Sequence, residues 1–201
     1  MKLSKVLGKT NCLITMTMVM APMAIQAESL SYSYADLGYQ TMTGDGSFDG
    51  FLVGGSYQIN EQFYVAGSYD ELEDEGLSQN VLSVRGGMRF ALNDTIDLYG
   101  EAGVARAEVE VSYYDEWSDQ SFNSSASETG VQIEGGGRMR IAEPLEAGAY
   151  LRHIKVGDTS ETFLGLQGTY YFSDRFGAHA NVSRLFDASE FLLQAGVRLN
   201  F

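Results

Sequence analysis

The chain has 201 residues, with 13 basic and 27 acidic side chains and a formal net charge of −14 at pH 7. That acidity makes nucleic acid a poor partner, since a polyanion is repelled. A chain so acidic can be unfolded, but 12% aromatic residues and a recurring apolar alternation argue for a folded sheet.

Residues 1–27 read as a secretory signal. Lys2, Lys5 and Lys9 make a basic start, residues 13–24 a short apolar core, and Ile25-Gln26-Ala27 a cleavage site. The apolar run is too short for a spanning helix. The one cysteine, Cys12, lies inside this segment, so the rest of the chain has no disulfide and no thiol chemistry. Without the leader, which holds three lysines and no acid, 174 residues remain with a formal charge of −17. No later apolar run is long enough for a membrane helix. Two prolines and 23 glycines argue for strands and tight turns in a single domain, 28–201.

The first strand is expected from about Leu30 to Gln40. Leu30, Tyr32 and Tyr34 share one parity and Leu37 and Tyr39 the other, which predicts a bulge near Ala35. Residues 51–59 then alternate through Phe51, Val53, Gly55, Tyr57 and Ile59. A polar turn at 60–62 follows, and a new strand starts at Phe63. The same unit recurs at 82–92, with a turn at 93–95 and a restart at Ile96. It recurs at 131–141, turning at 142–144 into Leu145, and at 164–172, turning at 173–175 into Phe176. Phe191, Leu193, Ala195, Val197, Leu199 and Phe201 form the last segment, which stops where the others turn. Alternation of this kind is the mark of a strand with two unlike faces. At the opposite ends the connections are longer and acidic at 41–47, 70–79 and 112–127, and short at 157–160 and 186–189. The total is ten antiparallel strands, with eight as the alternative.

A soluble sandwich would also alternate. An even strand number, unequal loops at the two ends and strands of about 9–12 residues suit a transmembrane barrel instead. The apolar face carries no charge in its central part, whereas the other face carries many. Closure would pair every backbone group, as lipid demands. Tyr57, Phe63, Phe90, Tyr170, Phe172, Phe176 and Phe201 would form a periplasmic aromatic girdle, with Tyr69, Phe51, Phe163 and Phe191 toward the outer one.

The alternating last strand, ending on Phe201 behind a secretory signal, resembles the signal by which bacterial outer-membrane proteins are recognised for barrel assembly. The whole mature chain is similar to the small outer-membrane barrel family that includes OmpX, Ail and the barrel of OmpA. The resemblance implies an integral protein of a Gram-negative outer membrane in contact with its lipid and lipopolysaccharide. It also implies that Phe191, Leu193, Val197, Leu199 and Phe201 address the chain to the assembly machinery. A monomer is expected.

Parity places Arg85, Arg89, Asp97, Glu101, Glu134, Arg138, Arg140, Glu146, Arg152 and Arg198 inside the barrel, with Tyr99, Gln132, Tyr150, His179, Asn181 and Gln194. The 142–144 turn would pair Ile141 with Leu145, setting Arg140 opposite Glu146 and Glu134 opposite Arg152. Arg89 with Asp97, and Arg85 with Glu101, would be direct or diagonal neighbours. Charges in a narrow barrel must be paired or hydrated, so the expectation is a packed, charge-paired lumen. A narrow path for small solutes or ions is the first rival.

A surface hydrolase is the second rival. Its only candidate trio is His153, Asp158 and Ser160, and parity turns His153 outward. With no nucleophile elbow, P-loop or clustered metal ligands, no enzyme activity, metal or cofactor is expected. The acidic run DELEDEG, 70–76, lacks EF-hand spacing because Leu72 stands at a ligand position. In 112–122, Tyr113, Tyr114, Trp117 and Phe122 are interleaved with acids and are candidate contacts for an external ligand. The expected role is a non-enzymatic outer-membrane barrel serving envelope integrity or surface interaction.

Overall fold

A computed structural model describes residues 30–44, 47–74, 76–115, 120–186 and 190–201, with the backbone alone at 113–115 and 120–123. The secretory signal lies outside the described residues. Ten strands are present: β1 (Tyr34–Thr43), β2 (Ser47–Gln58), β3 (Phe63–Asp74), β4 (Leu77–Asn93), β5 (Ile96–Asp115), β6 (Gln120–Ala142), β7 (Leu145–Val156), β8 (Thr159–Tyr171), β9 (Phe176–Leu185) and β10 (Phe191–Asn200). Each is antiparallel to its neighbour in sequence, and β1 pairs with β10 to close a barrel. The restarts at Phe63, Ile96, Leu145 and Phe176 are the first residues of β3, β5, β7 and β9.

The turns at that end are built by short polar side chains. Asn60 Oδ1 accepts from the amides of Gln62 and Phe63, both at 2.9 Å. Asn93 Oδ1 accepts from the Thr95 amide at 2.9 Å, and Ser173 Oγ from the Phe176 amide at 3.0 Å. Such side chains replace the ladder partner that the chain loses as it reverses. At the opposite end the backbone turns through left-handed glycines, Gly76 at φ 88° and Gly157 at φ 57°.

Three sequence expectations are corrected. β1 pairs with both neighbours from Tyr34 to Thr43 without a register shift, so there is no bulge at Ala35. Leu30, Tyr32 and Tyr34 are buried inside the barrel while Leu37 and Tyr39 are exposed outside, so both parities are apolar for different reasons. Ile141 does not face Leu145. The register passes from Arg140↔Glu146 to Ala142↔Leu145, leaving Ile141 as the extra residue of a bulge. Phe163 is not in an outer girdle; it is 2% exposed and faces inward. It sits one residue out of step with the outward set Leu164, Leu166 and Tyr170.

Much of each long connection is strand. Residues 70–74 and 77–79 belong to the β3–β4 ladder, and 112–115 with 120–127 to that of β5 and β6. β5 and β6 have 20 and 23 residues, about twice the 9–11 that a tilted crossing needs. β6 meets β7 only from Gly130 onward, so its first ten residues pair with β5 alone. The β7-side edge of β6 is therefore open over these residues, while β4 flanks β5 as far as Val111, so only 112–115 and 120–123 form a two-stranded ladder.

Following paired residues round the barrel from Gly38 through β2 leads to Glu128 on β6. The other way round, through β10, leads to Arg140, twelve residues further along the same strand. That stagger, with ten strands, requires a tilt of about 40°. Polarised infrared spectra of oriented bilayers should return a mean strand tilt of about 35–45°; strands lying near the bilayer normal would contradict the register.

Candidate functional site

The lumen is filled in three layers. At the turn end, residues 30–33 enter the barrel before β1 begins. Leu30 and Tyr32 are 1% and 0% exposed. The Tyr32 ring packs on Tyr64 at 4.7 Å and lies under the guanidinium groups of Arg89 and Arg138, at 5.3 and 4.8 Å. These arginines also donate to this segment's backbone: Arg89 Nη1 to the Leu30 carbonyl at 2.6 Å, Arg138 Nη1 to that of Ser31 at 3.1 Å. Carboxylates hold them from the other side, with Arg89–Asp97 at 3.6 Å and Arg138–Glu146 at 2.7 Å. Arg140 reaches the second oxygen of Glu146 at 2.9 Å. The sequence showed these arginines but not the chain segment they hold.

The β1–β10 seam is closed by a pair that local turn register cannot reveal. Arg198 Nε and Nη2 donate to the two oxygens of Asp36 at 2.9 and 3.1 Å. A two-point fork of this kind fixes direction as well as distance. The guanidinium also lies 4.3 Å over the Tyr34 ring.

The middle layer joins two ion pairs. Arg152 Nε meets Glu134 at 2.7 Å and Arg85 Nε meets Glu101 at 3.2 Å. Glu101 and Glu134 are direct cross-strand partners, an arrangement that repels unless each charge is compensated. Each has its own guanidinium and its own phenol: Tyr64 Oη donates to Glu101 and Tyr99 Oη to Glu134, both at 2.8 Å. Along the wall formed by β1, β10 and β9, Gln194 Nε2 donates to its ladder partner Gln40 at 2.8 Å, and Asn181 Nδ2 to its ladder partner Gln194 at 2.7 Å. Glycines make room for the tyrosines. A Cβ on Gly87 would lie 2.1 Å from the Tyr64 ring, and one on Gly165 2.1 Å from that of Tyr150. Register also decides the diagonal question. Arg85 stands opposite Gly103 and Glu101 opposite Gly87, so that pair is diagonal, as is Arg89 with Asp97.

Toward the loop end an apolar cluster joins the inward face beside the buried Asp70, Gln79 and Glu161, which parity applied to charges alone did not anticipate. Met42, Leu72, Val81, Phe163, Leu185 and Leu192, from six different strands, are all at most 6% exposed and pack in one cluster. Phe48 of β2 packs against it. The signal was present, since Leu72, Val81 and Phe163 stand at inward positions of their strands.

The remaining candidates are not brought together. His153 Nδ1 is 2.9 Å from Thr162 Oγ1 on the outer face. Ser160 is the ladder partner of Lys155, and Asp158 lies in the β7–β8 turn. In 70–74, Asp70 and Leu72 are buried inward while Glu73 is exposed outward, so the carboxylates split between two faces. Among the described residues no group of three or more His, Cys, Asp or Glu side chains is placed to hold a metal ion. Trp117 and the side chains of Tyr113, Tyr114 and Phe122 lie outside the described residues. His179 is buried and turned inward, and neither ring nitrogen has a hydrogen-bond partner among the described residues. On β10, Phe191, Leu193, Val197 and Leu199 face outward, and Phe201 is exposed just past the strand.

A closed antiparallel barrel with charges inside and apolar side chains outside defines a transmembrane β-barrel. The family profile described as "Outer membrane protein beta-barrel domain" matches residues 12–172, and the chain belongs to that family. In such barrels the short turns face the periplasm. Among solved structures the chain is similar to the translocator domain of the autotransporter NalP from Neisseria meningitidis, at 14% identity and a TM-score of 0.50, covering 85% of this chain and 89% of that one. It is also similar to Ail of Yersinia pestis, at 18% identity and a TM-score of 0.43, covering 83% and 99%. For the KdgM porin the values are 13% and 0.46, covering 84% and 99%. No curated protein sequence matches the chain.

The seam pair carries a prediction. Arg198→Met leaves a buried Asp36 carboxylate without its partner and should cost about 3–5 kcal/mol in urea unfolding. Adding Asp36→Asn should recover most of it. Equal loss in the double variant would mean that packing, not the charge, sets the effect.

Proposed function

We propose that this chain is an integral outer-membrane barrel of a Gram-negative bacterium that neither catalyses a reaction nor conducts solutes. Its leader is cleaved on export, and its last strand, 191–201, engages the assembly machinery. The folded barrel serves envelope integrity or surface contact through the β5–β6 hairpin. The observation that supports this reading is the filling of the lumen at three levels: by the Leu30–Tyr32 segment, by the paired charges, and by the apolar cluster.

A charged layer alone is a poor seal, because water can enter between ion pairs. An apolar constriction excludes water outright, so the layer around Phe163 and Leu192 is the stronger barrier. The unpartnered ring nitrogens of His179 and the unpartnered amide of Gln132 favour water enclosed between the barriers. A narrow channel would share this feature. The surface reading draws on the open edge of β6 at 120–129, since exposed strand edges accept further strands.

Conductance of the refolded barrel in a planar bilayer tests the reading. Wild type should be silent. Glu134→Ala with Arg152→Ala should stay silent, and so should Phe163→Ala with Leu192→Ala, because each leaves two of the three layers, the Leu30–Tyr32 segment among them, in place. Combining both pairs with Tyr32→Ala should open a measurable path. Steady conductance in wild type would replace the sealed barrel with a narrow channel.

A further inference from the structure

The outward face near the loop end is divided by charge. On β2 to β5 it carries Asp49, Glu71, Glu73, Glu108 and Glu110, against the single cation Arg106. On β7 to β10 the outward positions carry no carboxylate at all among the described residues. They carry Lys155, Arg184 and His153 instead.

His153 and Lys155 are successive outward positions of β7, and Arg184 stands two strands away on β9, in the row of Leu151 and Leu164. His153 pairs with Thr162 across the ladder, and Lys155 pairs with Ser160 next to it. Arg184 pairs with Leu164 on one side and Phe191 on the other, and its guanidinium lies 5.8 Å from the Phe191 ring. Every one of them stands within four residues of the loop end of its strand. The strip below is wholly apolar and exposed: Leu151 50%, Leu164 50%, Val182 38% and Leu193 42%. Cations, a hydroxyl and an aromatic ring thus sit where an apolar belt meets water. That is the level at which a bilayer presents its phosphate groups.

We infer that Lys155, Arg184, His153 and Thr162 form a binding site for the phosphate of an anionic lipid in the outer leaflet, with the acyl chains lying on the strip from Leu151 to Leu193. The acidic arc on β2–β5 repels the same phosphates, so the lipid is held on one side of the barrel. Lysine supplies a mobile point charge and arginine a fork that matches two phosphate oxygens. The inference rests on the barrel's place in the outer membrane and is independent of whether its lumen is sealed.

The test uses the full refolded barrel in detergent, with lipid A carrying both phosphates and its dephosphorylated form as probes. Bound lipid is counted by native mass spectrometry, and folding is checked by the heat-dependent shift in gel mobility. Wild type should retain the phosphorylated probe in preference to the dephosphorylated one. Lys155→Gln with Arg184→Gln should weaken that retention by roughly tenfold or more, from the attraction each basic side chain contributes near an anionic surface. Arg106→Gln, on the acidic side, should change nothing. Equal retention of the two probes, an unchanged double variant, or an equal loss in the Arg106 variant would each overturn the site. Displacement of the lipid by millimolar inorganic phosphate would show a free-anion site instead, and would overturn the assignment to lipid.

Discussion

Lipid offers no water to a backbone amide, and a strand left unpaired in it strands several polar groups at a cost of several kcal/mol each. The ten strands answer by closing on themselves, and every other feature follows from that closure. Closing the sheet makes an interior that is too narrow to be a wide pore and too polar on its strands to collapse as an oil. The side chains pointing into it must therefore satisfy one another. The chain does this with arginines, which reach carboxylates diagonally across strands, and with tyrosines, which fill volume while their hydroxyl groups donate. Tyr64 and Tyr99 each do both, occupying space at Gly87 and Gly136 and donating to Glu101 and Glu134.

The parts of this arrangement that depend on neighbouring strands were legible in the sequence. A turn of known length fixes the register on either side of it. The 142–144 turn alone thus sets Glu134 opposite Arg152, even though the bulge at Ile141 shifts the last rung. Contacts that depend on closure were not legible. Asp36 and Arg198 are separated by nearly the whole chain and are brought together only when β1 finds β10. The segment before β1 is ambiguous in sequence for a related reason. An apolar tyrosine pointing at lipid and one pointing into a plugged lumen look alike in sequence, so Leu30, Tyr32 and Tyr34 suggested a bulge. Phe163 failed in the same way: a phenylalanine near a strand end was assigned to the membrane interface although its own parity put it inside.

The layers differ in what they contribute. Buried ion pairs add little net stability, because desolvating both partners offsets most of their attraction. Their stronger effect is on register. Sliding any one strand by a single residue would exchange its two faces. It would send an arginine such as Arg85 or Arg152 into hydrocarbon, at about 2–4 kcal/mol near the midplane. The apolar layer exerts no such penalty on a slipped strand, since Leu72 or Leu192 would be as comfortable in lipid as in the lumen.

The distribution of the two kinds of inward residue then has a physical logic. The arginine–carboxylate pairs occupy the turn-end and middle layers, where β-strands are flanked on both sides and register must be unique. Aliphatic side chains occupy the loop end, where strand lengths diverge and β6 loses its partner beyond Gly130. There the register has already been set from below, and what remains to be supplied is a dry stopper between the lumen and the outside. One chain thus uses its charges to choose a single barrel and its aliphatic side chains to shut it.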